Sequence, residues 1–177
     1  MIKTARVIVT WDCPRRCAGC VNSINFGAPG KYVPRINSPH LARFDEVVIT
    51  GGEPMLFPER VKALAIDLYS LGMRRPILYT ATRDYETLND LLCFFTGVTI
   101  TLHDDVDVVL FNDWVSREEW GNPPIFYVRV MYQKISVPFK LHRSIRYKLC
   151  QWKAPEDCRL SVNETLFQLN PLWRLYA

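Results

Sequence analysis

The stretch that decides the reading of this chain is Arg6-Val7-Ile8-Val9-Thr10-Trp11-Asp12-Cys13-Pro14-Arg15-Arg16-Cys17-Ala18-Gly19-Cys20. Residues 6–11 are dominated by β-branched side chains, the composition of a buried strand, and the run stops at Asp12-Cys13-Pro14. Three cysteines follow with the spacing C-x3-C-x2-C, so they sit on a loop leaving the end of that strand. The stretch 13–40 is rich in Gly, Pro, Asn and Ser and is expected to be mainly loop, with room for one short helical turn.

Working outward, strand and helix signals alternate. A second strand spans 46–50 and closes on Gly51-Gly52. Pro58 suits the first turn of a helix whose Val61, Leu64, Ala65, Leu68 and Leu71 share a face up to Gly72. A third strand covers 76–82, and Asp84 can cap a helix carrying Tyr85, Leu88, Leu91, Leu92 and Phe95, which Gly97 ends. A fourth strand at 98–103, a helix at 107–119 and a fifth strand at 125–132 complete the regular part. Residues 160–169 fit either a strand or a helix, since Ser161 and Glu164 match a capping box. Such alternation implies parallel βαβ units. Five or six units fall short of a closed eight-fold barrel, so the expectation is an α/β fold built as a partial (β/α)5-6 barrel with parallel strands and its chemistry at their carboxyl ends.

The chain is read as a single domain over 1–177, with the core in 1–135 and a less regular C-terminal segment, 136–177. Its 177 residues are 49% hydrophobic and 23% charged, which excludes wholesale disorder. No signal peptide and no run of about 18 apolar residues is found, so a cytoplasmic location without membrane contact is expected. There clustered cysteines serve metals or redox chemistry more often than disulfides. The net charge of +4 is mild, and its basic groups (Arg15-Arg16, Arg74-Arg75 and 140–148) are short. A solvated face explains them more simply than nucleic acid does.

Three thiolates at this spacing can converge on one inorganic centre. A four-iron cluster has four iron corners, each usually held by Cys, so Cys13, Cys17 and Cys20 would leave one iron open to a chelating ligand. Other readings stay open. Cys17 and Cys20 alone would make a thioredoxin-like dithiol, which leaves Cys13 without a role. Zinc would need a fourth ligand such as His40 or Cys158. The cysteines could also be structural neighbours by chance. Thr50-Gly51-Gly52-Glu53-Pro54 ends the second strand on the same rim. Its glycines let backbone approach a ligand closely, and its carbonyls and Glu53 could receive an ammonium group.

The C-x3-C-x2-C loop after the first strand and Gly51-Gly52-Glu53-Pro54 after the second resemble the signature of the radical S-adenosylmethionine (SAM) superfamily. The resemblance covers the chain to about residue 56. It implies that Cys13, Cys17 and Cys20 hold a [4Fe–4S] cluster, and that SAM chelates the fourth iron through its amine and carboxylate. It implies too that Gly51, Gly52, Glu53 and Pro54 contact the SAM amine. One electron, from a donor such as flavodoxin or ferredoxin, would then release methionine and a 5′-deoxyadenosyl radical that abstracts hydrogen from a substrate. Many members carry an aromatic residue before the third cysteine, beside the adenine. Gly19 stands there in this chain and leaves only a backbone contact.

Alternation adds further candidates. Thr99, Thr101 and His103 share one face of the fourth strand, Thr80 and Thr82 one face of the third, and Arg129 lies within an apolar fifth strand. Pointing inward, Thr80, Thr101 and His103 would approach the cofactor and Arg129 a carboxylate. As ordinary strand residues they would do neither. Cys93 reads as core, and Cys150 with Cys158 as reduced thiols or two ligands of an auxiliary cluster. Residues 17–22 are similar to the loop of anaerobic ribonucleotide reductase activases, which implies a large glycyl-radical enzyme as partner. The alternatives are a small-molecule enzyme like 7-carboxy-7-deazaguanine synthase, an RNA or peptide modifier, and, from another class, a non-catalytic iron–sulfur or redox module.

Overall fold

The computed structural model describes residues 2–17, 20, 33–73, 76–117, 127–132, 135–151 and 160–172. Gly19 and Cys158 lie outside the described residues, as do Arg74-Arg75 and the first two positions of the expected fifth strand.

The elements run β1 (Thr4–Ile8), β2 (Arg35–Ile36), α1 (Ser38–Leu41), β3 (Glu46–Thr50), α2 (Pro58–Ser70), β4 (Pro76–Thr80), α3 (Tyr85–Leu91), β5 (Gly97–Leu102), α4 (Asp105–Ser116), β6 (Tyr127–Tyr132), β7 (Arg146–Gln151) and β8 (Glu164–Leu169). Short 3-10 turns follow β3 (Pro54–Leu56) and α3 (Leu92–Phe94). All eight strands join one sheet in the order β2-β8-β1-β3-β4-β5-β6-β7, and every pairing is parallel. The α/β partial barrel expected from the alternation is present, with three more strands than the five of the regular pattern. β2 and β7 form the edges, so the described strands leave the barrel open.

Local chemistry accounts for most boundaries. Asp84 accepts a hydrogen bond from the Thr87 amide and opens α3, and Asp104 does the same for the Asp107 amide at α4. That cap starts α4 two residues ahead of the expected 107. Pro58 stands in the first turn of α2, which buries Val61, Leu64, Ala65 and Leu68. Leu71, expected on the same face, is 38% exposed because the helix has already ended at Ser70. Cys93 is exposed and not core: the chain tightens at Leu92–Phe94 to three residues per turn, which rotates it off the buried stripe. Gly97 begins β5 and is not a helix terminator.

The C-terminal segment supplies two strands whose sequences hide them. β8 pairs with β1 and β2 at the interior of the sheet. Half of the expected capping box forms there: the Ser161 amide donates to Glu164, 2.8 Å away. No helix follows, because β1 and β2 offer open edges that β8 satisfies with ladder bonds. β7 carries Arg146, Lys148 and Gln151 among its six residues, a polar pattern suited to an edge.

The outward face of the sheet (Ala5, Val7, Val47, Ile49, Leu78, Val98, Ile100, Val128, Val130) joins α2, α3 and α4 in one buried apolar cluster. Side chains of opposite parity (Arg6, Tyr79, Thr101, Arg129, Met131, Lys148, Cys150) face a cavity on the other side. Among the described residues no helix is long and apolar enough to cross a membrane.

Candidate functional site

The cavity has a volume of about 410 Å³ and gathers residues from β1, β3, β4, β5, β6 and β7. Cys13, Cys17 and Cys20 line it, together with Thr50, Gly51, Gly52, Thr80, Thr101, His103 and Arg129. Thus most of the candidates from sequence meet in one place, at the carboxyl ends of the strands. Glu53 and Pro54 are buried behind the wall and do not line it. Thr99 and Thr82 are not cavity residues either.

The glycine turn and the root of the cysteine loop are built against each other. The Gly52 amide donates to the Thr10 carbonyl at 2.8 Å and the Glu53 amide to the Asp12 carbonyl at 2.7 Å. A Cβ on Gly52 would lie 2.0 Å from the Asp12 carbonyl oxygen, and one on Gly51 would lie 2.4 Å from that of Thr10. Gly51 also has φ +141°, a region that side chains avoid. The two glycines therefore fix the backbone that leads into Cys13.

Glu53 is engaged within the fold. Its carboxylate accepts from the Met55 amide (3.0 Å), the Thr80 hydroxyl (2.5 Å) and the Ala81 amide (2.7 Å), tying the ends of β3 and β4 together. Burial pushes its pKa up, while those three hydrogen bonds pull it back.

Arg15, between the first two cysteines, anchors the loop from the other side. Its guanidinium donates to the Ala81 carbonyl at 3.0 Å and to Asp107 at 2.7 Å. Asp107, 1% exposed, also accepts from Arg83 at 2.6 Å and from the His103 amide at 2.8 Å. Burial raises its pKa but is outweighed by Arg15, the His103 amide and Arg83, leaving the carboxyl below its usual range. Sequence reasoning used Arg15 only as part of a basic group and Asp107 only as a helix start. The one signal for their pairing is a charge inside a cysteine loop, which needs a partner once the loop folds inward.

His103, at the end of β5, places Nε2 2.9 Å from the Cys17 sulfur. Burial, then the charge of Arg15, holds the imidazole below its ordinary pKa. Burial likewise raises the Cys17 thiol, and Cys20 and Cys13 push it further up by mutual repulsion. A neutral thiol beside a neutral imidazole is a poor nucleophilic dyad. A thiol held up in this way, as Cys17 is, is one whose deprotonated state a bound cation would stabilise. Among the described residues no three His, Cys, Asp or Glu side chains are gathered closely enough to hold a metal ion. The donor set of three soft sulfurs, in a cavity that no carboxylate lines among the described residues, nonetheless suits a thiolate-held iron–sulfur centre better than a hard, oxygen-bound cation.

Residues not singled out for this site also line the cavity: Arg6, Tyr79, Met131, Lys148, Cys150 and Gln151. Cys150 adds a fourth cavity thiol. No family model matches the chain, and no curated protein matches it.

Proposed function

We propose that this protein is a radical SAM enzyme. The observation that carries the reading is the meeting of two sequence elements 30 or more residues apart. Cys13, Cys17 and Cys20 open onto the same strand-end cavity as Gly51 and Gly52. In this reading the three thiolates bind a [4Fe–4S] cluster with one open iron. The cluster and SAM, with one electron from a flavodoxin- or ferredoxin-type donor, supply cleavage to methionine and a 5′-deoxyadenosyl radical that takes hydrogen from substrate.

The chain's own residues bind and orient. Arg15 and Asp107 hold the cysteine loop down on β4 and β5. Glu53 fixes the Gly51-Gly52 backbone to the end of β4 and so acts as a positioning residue. Thr50 and Thr101 bring hydroxyls to the cavity wall for a ribose or an amine, while the Thr80 hydroxyl is engaged by Glu53.

Of the substrate classes, the cavity favours a small molecule. Its polar residues extend inward along the strands to Arg129 and Lys148, beyond what cleavage of SAM at the rim requires.

Anaerobic reconstitution with iron and sulfide, followed by EPR of the dithionite-reduced protein, tests the assignment. A four-iron signal that shifts on adding SAM, is lost in Cys17→Ala, and is accompanied by 5′-deoxyadenosine formation is expected. Uptake of zinc alone, or a cluster blind to SAM, would overturn it.

A further inference from the structure

Among the described residues, four cationic side chains line the cavity, Arg6, Arg15, Arg129 and Lys148, and no Asp or Glu does. Two of the four are already neutralised from behind. Arg6 grips Glu164 through Nε at 3.0 Å and through a terminal nitrogen at 2.8 and 3.0 Å. Arg15 is held by Asp107.

Arg129 and Lys148 are different. Among the described residues neither forms an ion pair with a carboxylate. Arg129 donates from one terminal nitrogen to the Tyr79 hydroxyl at 3.1 Å, and its Nε, shut away from solvent, has no hydrogen-bond partner among the described residues. Tyr79 is itself steadied from the opposite side by Arg6, whose guanidinium carbon lies 5.4 Å from the ring centre. Lys148 is the register partner of Arg129 on the neighbouring parallel strand, so the two cations stand side by side, about 4.8 Å apart at the backbone. A half-buried guanidinium with no counter-charge among the described residues is costly, and a planar fork beside a point charge fits an oxyanion.

Position separates this pair from the cysteines. Arg129 is in register with Thr99, four residues before His103 on β5, or about 13 Å along the strand. Its hydrogen bond to Tyr79, also in register with Thr99, keeps the guanidinium directed across the sheet. SAM's own carboxylate, in the proposed function, belongs to the open iron at the rim.

We infer that Arg129 and Lys148 form a binding site for an anionic oxyacid group, carboxylate or phosphate, of the small-molecule substrate. The word substrate rests on the radical SAM reading; the anion site rests on the side chains alone. A molecule anchored there by its charged end presents its other end to the cysteine rim, where hydrogen would be removed. Lys148, exposed on an edge strand, serves as the entry-side contact, and Arg129 as the deeper one.

Isothermal titration of the full chain, as purified and after reconstitution, with inorganic phosphate and separately with benzoate tests the site and tells the two anions apart. Saturable binding of at least one is expected. It should weaken by about tenfold in Lys148→Gln and in Arg129→Gln, and stay unchanged in Lys62→Gln on α2. Lys148→Gln removes an exposed side chain, so it remains informative if Arg129→Gln fails to fold. Two results would overturn the inference: no saturable binding of either anion, or equal binding by wild type and Lys148→Gln. A third would be a tenfold rise in the SAM needed to shift the EPR signal of Lys148→Gln, because the pair would then serve the cofactor. A chain that binds the anion yet forms no SAM-responsive cluster would leave this site standing and remove the enzyme reading.

Discussion

The two faces of one sheet obey opposite rules. On the outward face, successive strands present Ala5, Val47, Leu78, Val98 and Val128, each nearly or fully buried, and the helices pack on them. On the inward face, alternate positions of the same strands present Arg6, Tyr79, Thr101, Arg129 and Lys148 around a cavity. The outward face stabilises the fold through apolar area removed from water. The inward face forgoes that gain and holds charges instead: Arg6, paired with Glu164, and Arg129 and Lys148, without an ion-pair partner among the described residues. Stability and ligand chemistry are thus divided by the parity of the residue number along each strand.

That division can be tested from its strongest side downward. Phe111 is fully buried on α4, with its ring 6.4 Å from that of Tyr85 and 5.8 Å from that of Trp114. Phe111→Ala is expected to cost about 3–5 kcal/mol in denaturant unfolding while anion affinity of the folded protein stays within twofold. A large loss of affinity at full folding would break the separation of the faces. Gly52→Ala acts where the faces meet, since its Cβ would collide with the Asp12 carbonyl. A loss of about 3 kcal/mol together with failure to retain iron is expected, measured by unfolding and by iron content after reconstitution.

The smallest effect belongs to the cap of α3. Asp84 accepts from the Thr87 hydroxyl and amide, which hold its carboxyl below the usual 3.8. A depressed carboxylate stabilises the fold fully above its unfolded value, and that contribution is lost as pH falls through the folded one. Asp84→Ala should therefore lower stability by about 1 kcal/mol at pH 7. The difference from wild type should shrink as the pH is taken below 4. An unchanged difference at low pH would show that the cap acts through packing and not through its charge.

Legibility in the sequence followed the range of the forces involved. β3 was readable to the residue, because Val47, Val48 and Ile49 between Glu46 and Gly51 leave no other choice. The α3 cap was readable because Asp84 acts on an amide three residues away. β7 was not, because Arg146 to Gln151 has the polarity of an exposed turn and becomes a strand only by pairing with β6. β8 was ambiguous for a related reason: a capping box and a strand share the same letters at Ser161 and Glu164, and the ladder with β1 chose between them. In the site, the cysteine spacing and the glycine turn were visible as patterns. Glu53 was visible as well, but its commitment to Thr80 and Ala81 was not, since those partners lie 27 and 28 residues along the chain.

By itself, then, the sequence determined the alternating α/β plan, the strand-end placement of Cys13, Cys17 and Cys20, and the turn at Gly51-Gly52, all set by local sterics, capping and side-chain period. Only the tertiary structure decided that Arg15 is clamped by Asp107, that Glu53 stands behind the cavity, and that Arg129 and Lys148 stand together without a carboxylate among the described residues. Charges are matched or left over only after strands far apart in the chain lie side by side, so that balance is a property of the fold and not of any one segment.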